Sequence, residues 1–131
     1  MTISLRRLRK VLRAVCRADT AYNAKRWTPD NPLAEHCTVV ALLVQELFDG
    51  QLLRVKILPS GRFPKGGWHW YNRLPDGSTV DLTREQFGQR APRFSEPSVR
   101  YRGSVLRIAA LARRYALLRS RVRRALLKEA A

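Results

Sequence analysis

Cysteine is scarce: Cys16 and Cys37 are the only two in 131 residues, so one bridge at most is available and a disulfide scaffold is excluded. No apolar run approaches the roughly 20 residues that a membrane-spanning helix needs. The start, Met1-Thr2-Ile3-Ser4-Leu5-Arg6-Arg7, lacks the apolar stretch of an export signal, so the expected location is the cytoplasm. Internal repeats and low-complexity tracts are absent too. There are only two histidines, and His36, His69, Cys37 and Asp81 include no pair at the short spacing of a zinc motif. Zinc is thus the weaker alternative for these four residues, and no metal or cofactor is expected.

Acidic residues are missing from the two ends. Residues 1–26 carry eight Lys/Arg and one acid, residues 100–131 carry ten and one, and residues 27–99 carry eight of each. The ends therefore hold the whole net charge of +16, as +7 and +9. Nucleic acid or another polyanion is a candidate partner for them. No helix-turn-helix or RNP-like motif accompanies the charge, so nothing in the ends reads a base sequence.

What is present is an ordinary globular composition, 45% hydrophobic and 27% charged, long enough for one domain with a real core. Leu5, Leu8, Leu12 and Val15 recur at helical spacing between Arg6, Arg9, Arg13 and Arg17, which predicts a basic amphipathic helix within residues 1–26. A second is predicted over 104–131. Its seam is Ile108, Leu111, Tyr115, Leu118, Val122 and Ala125, with Arg107, Arg114, Arg121 and Lys128 seven apart beside it. Those arginines form a solvated face or a polyanion site, and the seam offers a surface for a helical partner or a homodimer.

The centre, 27–90, is built differently. Asn31-Pro32 predicts a helix start, and Val40, Leu43, Val44, Leu47 and Phe48 carry the helix to Asp49-Gly50, so Cys37 falls in its first turns. Residues 51–58 are strand-like and 59–67 form a loop. Trp68 to Leu74 and Thr79 to Leu82 flank the hairpin signal Pro75-Asp76-Gly77. Thr83-Arg84-Glu85-Gln86 fits a capping box, and residues 91–103, which include Pro92 and Pro97, are expected to be a linker to the last helix.

A nucleophilic cysteine needs its thiolate, which a helix N-terminus and a neighbouring imidazole favour. Cys37 has the helix. His36 is adjacent on another azimuth, so His69 is the better base. If Pro75-Asp76-Gly77 is a three-residue loop, Leu74 faces Ser78, His69 faces Thr83, and Asp81 lies diagonal to His69 on the same side of the sheet, with Asn72 on the other. A two-residue loop would shift this register by one. Asn72, Gln45 and, ranked last, Gln86 are candidate oxyanion or orienting amides. Trp27, Trp68 and Trp70 are either core or cleft wall, and Cys16 is a packing residue.

The blocks Trp27-Thr28-Pro29-Asp30-Asn31-Pro32, Cys37 to Gln45, His69-Trp70-Tyr71-Asn72-Arg73-Leu74-Pro75-Asp76-Gly77 and Asp81 to Phe87 resemble the YunG-like family of small bacterial proteins. That family in turn resembles a trimmed papain-like or transglutaminase-like cysteine fold. The resemblance covers residues 25–90 and implies Cys37 as nucleophile, His69 as base and Asp81 as the orienting acid. Position 36 carries His where Gln is expected, which leaves the amide donor of a papain-type oxyanion hole unassigned. The expectation is an α+β fold, a nucleophile helix packed on a small antiparallel sheet and framed by two basic helices. Its expected function is cysteine-dependent acyl transfer from a peptide or other amide, as peptidase, amidase, deamidase or transglutaminase. The alternative is a non-catalytic polyanion-binding module acting through Arg107, Arg114 and Arg121.

Overall fold

In the N-terminal segment the apolar spacing is realised directly. In the computed structural model, which describes residues 3–130, helix α1 spans Leu5–Val15 and buries Leu8, Val11 and Leu12. Met1, Thr2 and Ala131, which belong to the expected terminal segments, lie outside the described residues. Ser4 caps α1 by accepting the Arg7 backbone N–H at 3.1 Å, satisfying one of the free donors of the first turn.

Helix α2 spans Cys37–Phe48 and does not begin at Asn31-Pro32. Two local features move its start. Asn31 is held in a turn, with its side-chain amide donating to the Gln86 carbonyl at 2.9 Å, and Glu35 adopts a left-handed φ of 65° that a continuous helix cannot pass. Val39 to Val44 are all buried, so α2 has no solvent face along half its length. Asp49 and Gly50, both with positive φ, turn the chain into the sheet. Gly50 is required there, because a Cβ would run into the Arg73 carbonyl.

The sheet contains β1 (Gln51–Ile57), β2 (Gly67–Arg73), β3 (Thr79–Val80) and β4 (Ser98–Arg100), all antiparallel neighbours in the order β3-β2-β1-β4. Residues 91–103 are therefore not a linker. Leu58 and Ser95 donate backbone bonds to Arg93 and Lys56, Phe94 bridges to Ile57, and Ser98–Arg100 pairs with β1 as the edge strand. Pro92 and Pro97 fit this edge because a proline removes a donor that no further strand needs.

Alternation gives the sheet two different faces. Leu52, Trp70 and Val80 join the core around α2, and Asn72 donates its side-chain amide to the Ala41 carbonyl of that helix at 2.9 Å. Leu53, Val55 and Ile57 are buried outside that core, on the side of His69, which stands opposite Val55. Segment 81–95 supplies Phe87 and Phe94 against His69.

The last segment is two helices, not one: α3, Arg102–Val105, and α4, Ala109–Ala130, with Ile108 exposed between them. Leu111, Tyr115, Leu118 and Val122 pack into the same core as α1 and α2. The apolar seam expected to hold a helical partner or a homodimer is thus already covered by the chain's own core. Nor is the row Arg107, Arg114, Arg121 a uniform face. Arg121 pairs with both carboxylate oxygens of Asp19 at 2.7 and 2.6 Å, and Arg114 lies over the Tyr22 ring.

Few acids anchor these basic helices, and Glu46 of α2 is the most heavily used. The Arg119 Nε lies 2.7 Å from both its oxygens, the Tyr115 hydroxyl donates to it, and Arg102 and Arg123 stand within 3.5 and 3.7 Å. Burial alone would raise the Glu46 pKa, but the Tyr115 and Arg119 hydrogen bonds and the arginine charges outweigh it and hold it below its ordinary 4.5. The carboxylate's contribution is therefore present above about pH 4.5 and lost as pH falls through the depressed value. Glu46→Gln should cost about 1–3 kcal/mol at pH 7, as loss of a charge-assisted hydrogen bond does, and the cost should shrink as pH falls through the depressed value. Urea unfolding of both proteins along a series of falling pH measures this, and a cost that stays constant after NMR shows the Glu46 carboxyl protonated would exclude the charge as the cause.

Candidate active site

Cys37 is the first residue of α2, with His36 at the cap, so the thiol stands among the backbone N–H groups that a helix start leaves without partners. The late helix start brings it closer to that end than the Asn31-Pro32 signal implied. Cys37 is partly exposed, and its Sγ makes a long contact, 3.9 Å, with the Thr38 hydroxyl.

His69 comes from β2 and is 1% exposed. Its Nε2 lies 2.7 Å from Asp81 Oδ2, leaving Nδ1 as the ring nitrogen free for the thiol. The chain turns between these residues through Pro75-Asp76-Gly77: Leu74 donates its N–H to the Ser78 carbonyl, Asn72 pairs with Val80 and Arg73 with Thr79. That register carries Asp81 to the His69 side and Asn72 to the helix side. Phe94 stacks on the imidazole at 5.3 Å and Phe87 meets it edge-on at 5.0 Å, which fixes the ring plane.

The electrostatics of His69 follow from these contacts. Burial alone would lower its pKa, but hydrogen bonds to Asp81 and to Cys37, together with their charges, raise it to about 9. Asp81 is itself positioned, since the Thr83 hydroxyl donates to its Oδ1 at 3.4 Å and Gln86 Nε2 donates to that hydroxyl at 3.0 Å. The expected capping box is therefore not formed: Thr83 makes no cap bond, and the Gln86 amide bonds the Thr83 hydroxyl instead of a backbone N–H. Asn31 holds the Gln86 carbonyl, which ties this string of contacts to the segment before Cys37. Thr83 and Asn31 are the positioning residues missed in the sequence, although the hairpin register already set Thr83 opposite His69.

The other candidates are placed elsewhere. Neither proposed amide donor faces the thiol: Asn72 is bonded to Ala41, and Gln45, eight residues along α2, donates to Gly50 at 3.1 Å. The Asn72 amide satisfies a carbonyl one turn along α2 from Cys37, and the Gln45 amide one just beyond the far end of the helix. His36 is fully buried, with Nδ1 at 2.8 Å from the Ala34 carbonyl and Nε2 at 2.7 Å from the Thr20 hydroxyl. Burial lowers its pKa and keeps it neutral, so Nδ1 donates and Nε2 accepts. Cys16 is buried, and loss of solvation pushes its pKa to about 12 despite Arg121. Trp27 donates to the Pro32 carbonyl at 2.8 Å, Trp70 packs on the core and Trp68 is half exposed. Among the described residues no three His, Cys, Asp or Glu side chains gather as a metal site.

Comparison with known proteins places this arrangement. The model of the YunG protein family matches residues 4–127, nearly the whole chain. The chain belongs to the YunG family. The match thus takes in α1 and most of α4 and extends well beyond residues 25–90. An uncharacterized protein YunG of Bacillus subtilis (strain 168) is similar, with 32% identity over 66 residues, half of each chain. This chain thus aligns with about half the length of that curated relative. No solved structure matches it. No helix among the described residues is long and apolar enough to cross a membrane.

His69 should titrate with a midpoint near 9 when followed by NMR of its ring carbons, and Asp81→Asn should move that midpoint down. Because the folded protein holds this proton more tightly than the unfolded chain, the contribution is complete below pH 6.5 and lost between 6.5 and 9. The shift corresponds to about 3 kcal/mol. A midpoint near 6.5 in the wild-type protein would contradict it.

Proposed function

We propose that this YunG-family protein is a cysteine-dependent acyl-transfer enzyme acting on amides, with Cys37 as nucleophile, His69 as acid and base, and Asp81 as the orienting group. The observation that carries this reading is the buried His69 imidazole bonded to Asp81 at 2.7 Å, with the Cys37 side chain and its charge among the causes that raise its pKa to about 9. An imidazolium beside a thiol at a helix start is the arrangement that favours a thiolate at neutral pH. The order of nucleophile on a helix, base on a strand and acid just after the next strand also supports the papain-like or transglutaminase-like comparison.

The thiolate attacks the amide carbonyl and forms a carbon–sulfur bond. Backbone N–H groups at the start of α2 receive the oxyanion, in place of the displaced Asn72 and Gln45. His69 gives its proton to the leaving nitrogen as the carbon–nitrogen bond breaks. It then takes a proton from the water or amine that attacks the thioester, and the thiolate is released. The choice of acceptor distinguishes peptidase, amidase or deamidase from transglutaminase.

Iodoacetamide should modify Cys37 in the native protein and leave Cys16 unmodified, as mass spectrometry of the two peptides would show. Cys37→Ser should abolish turnover of a fluorogenic peptide amide while preserving the circular dichroism spectrum. His69→Ala should reduce turnover by about 10²–10⁴-fold. Cys37 alkylation at pH 6 with a rate indifferent to His69→Ala would overturn the assignment.

A second reading, polyanion binding without catalysis, is favoured by one surface feature. A groove of about 420 Å³ along α1 is lined by Ser4, Arg6, Arg7, Arg9, Lys10 and Arg13 and no acid. It competes with the row of Arg107, Arg114 and Arg121, of which Arg121 is paired with Asp19, as the place where the basic ends would bind. On this reading, binding of duplex DNA weakens with salt at a log-log slope of about 0.9 per phosphate neutralised. Replacing Arg6, Arg9 and Lys10 by Gln should reduce that slope, while binding that ignores salt would rule the reading out.

A further inference from the structure

Glu46 is the hub of a second polar cluster, and it satisfies only part of that cluster. One face of α4 meets α2 and α3 in a groove of about 670 Å³, whose lining sets four guanidiniums, those of Arg102, Arg119, Arg123 and Arg124, against the single carboxylate of Glu46. The groove therefore carries an excess of three positive charges. No acid of α4 relieves it, because the only one in that helix, Glu129, is paired with Arg7. Cys37, His69 and Asp81 do not line it, so the groove is a place apart from the candidate active site.

The hydrogen bonds show which donors are left over. Arg102 is fully committed: its terminal nitrogens bond the Leu42 carbonyl at 2.9 Å, the Gln45 side-chain oxygen at 3.4 Å, the Tyr115 hydroxyl at 2.5 Å and Glu46 at 3.5 Å. Arg119 uses only its Nε on Glu46, and its two terminal nitrogens bond nothing among the described residues. Arg123 is exposed and stands 3.7 Å from Glu46, beyond hydrogen-bond length. Arg124 reaches only the Ser120 hydroxyl, at 3.5 Å. Arg119 and Arg123 lie one helical turn apart with Arg124 beside them, so their unused N–H groups line the groove from one face of α4.

A phosphoryl group suits this arrangement. A carboxylate offers two oxygens in one plane and a single charge, and Glu46 already fills the place for one. A phosphate monoester carries about two negative charges at pH 7 and three acceptor oxygens that point apart, which matches several guanidiniums with donors to spare. The groove is larger than that group alone and has the size of a small-molecule site, roughly 300–1,000 Å³. Leu127, one turn beyond Arg123 and 67% exposed, adds an apolar wall for a carbon skeleton.

We propose that the groove between α4 and the α2–α3 junction binds a phosphorylated small molecule, with Arg119, Arg123 and Arg124 on the phosphoryl oxygens and Leu127 against the organic part. The Glu46–Arg119 pair stays in place and orients the guanidinium whose free edge meets the ligand. The site is independent of the acyl-transfer reading. It differs from the groove along α1, which has no carboxylate to hold its cations in position.

Glycerol 3-phosphate is the probe, titrated into the full chain and followed by calorimetry and by its ³¹P line width. At low salt it should bind with a Kd about tenfold or more below that of acetate, while glycerol itself should not bind. Arg123→Gln/Arg124→Gln should weaken it by about tenfold or more, as loss of charge-assisted hydrogen bonds does. Arg6→Gln/Arg9→Gln/Lys10→Gln, which removes charge from the α1 groove, should leave it unchanged. All these side chains are exposed, so both variants should keep the wild-type circular dichroism spectrum. Arg124→Gln alone, which gives up one contact with Ser120, repeats the test with the smallest perturbation and should also weaken binding. No binding, acetate held as tightly as glycerol 3-phosphate, or an equal loss in the α4 and α1 variants would overturn the site. Capture of phosphatidic acid vesicles or of an oligonucleotide through Arg123 and Arg124, with glycerol 3-phosphate silent, would make the groove a macromolecular surface and overturn the small-molecule assignment.

Discussion

A helix with no wet side dictates the architecture. Six consecutive residues of α2, Val39 to Val44, are buried, so the sheet covers one flank and α1 and α4 must cover the rest. At roughly 1.5–3 kcal/mol for each large apolar side chain withdrawn from water, this segment alone rivals the net stability of a small domain. The terminal helices are in the first place lids on α2. Their arginines face outward because leucine, valine and tyrosine on the other side are needed there.

That packing makes charge the price of cover. Two basic helices are drawn onto one core, and the chain carries few acids with which to relieve their repulsion. The acids it has are placed as cross-links between segments far apart in sequence: Asp19 to Arg121, Glu46 to Arg119, Glu129 to Arg7 and Glu85 to Arg13. Apart from the Glu46 network, the exposed pairs contribute little, about 0–1 kcal/mol each, so it is their distribution that organises the surface.

Much of this was readable in the residues because it depends on short-range patterning. The spacing of Leu5, Leu8 and Leu12 showed the buried face of α1. The parity of a three-residue Pro75-Asp76-Gly77 loop puts His69 and Asp81 on one side of the sheet, and the Leu74–Ser78 bond closes that loop. What escaped depends on partners distant in sequence. Asn31-Pro32 looks like a helix start, but Asn31 is bonded to Gln86, 55 residues away. Residues 91–103 look like a linker because two prolines interrupt them, and only the free edge of β1 turns Ser98–Arg100 into a strand. Thr83 and Gln86 satisfy the local pattern of a capping box, yet their polar groups are arranged around Asp81. In the first two cases a long-range hydrogen bond outweighs a sound local signal, and in the third it is the Asp81 carboxylate two residues away that draws the Thr83 hydroxyl off the helix start.

Gly50 gives the molecule a ruler. At one end of α2 the chain touches β2 so closely that only a residue without a side chain fits; at the other end stands Cys37, eleven peptide units into the rod from Phe48. The helix between is packed on all sides over its middle, Val39 to Val44, so its length sets where the sulfur comes to rest. Adding or removing one residue would rotate Cys37 by about 100° and move it by about 1.5 Å along the axis. The spacing between Cys37 and Gly50 is thus a dimension of the site, held by residues that never touch a substrate, and insertions belong to the loops of such a protein and not to this helix.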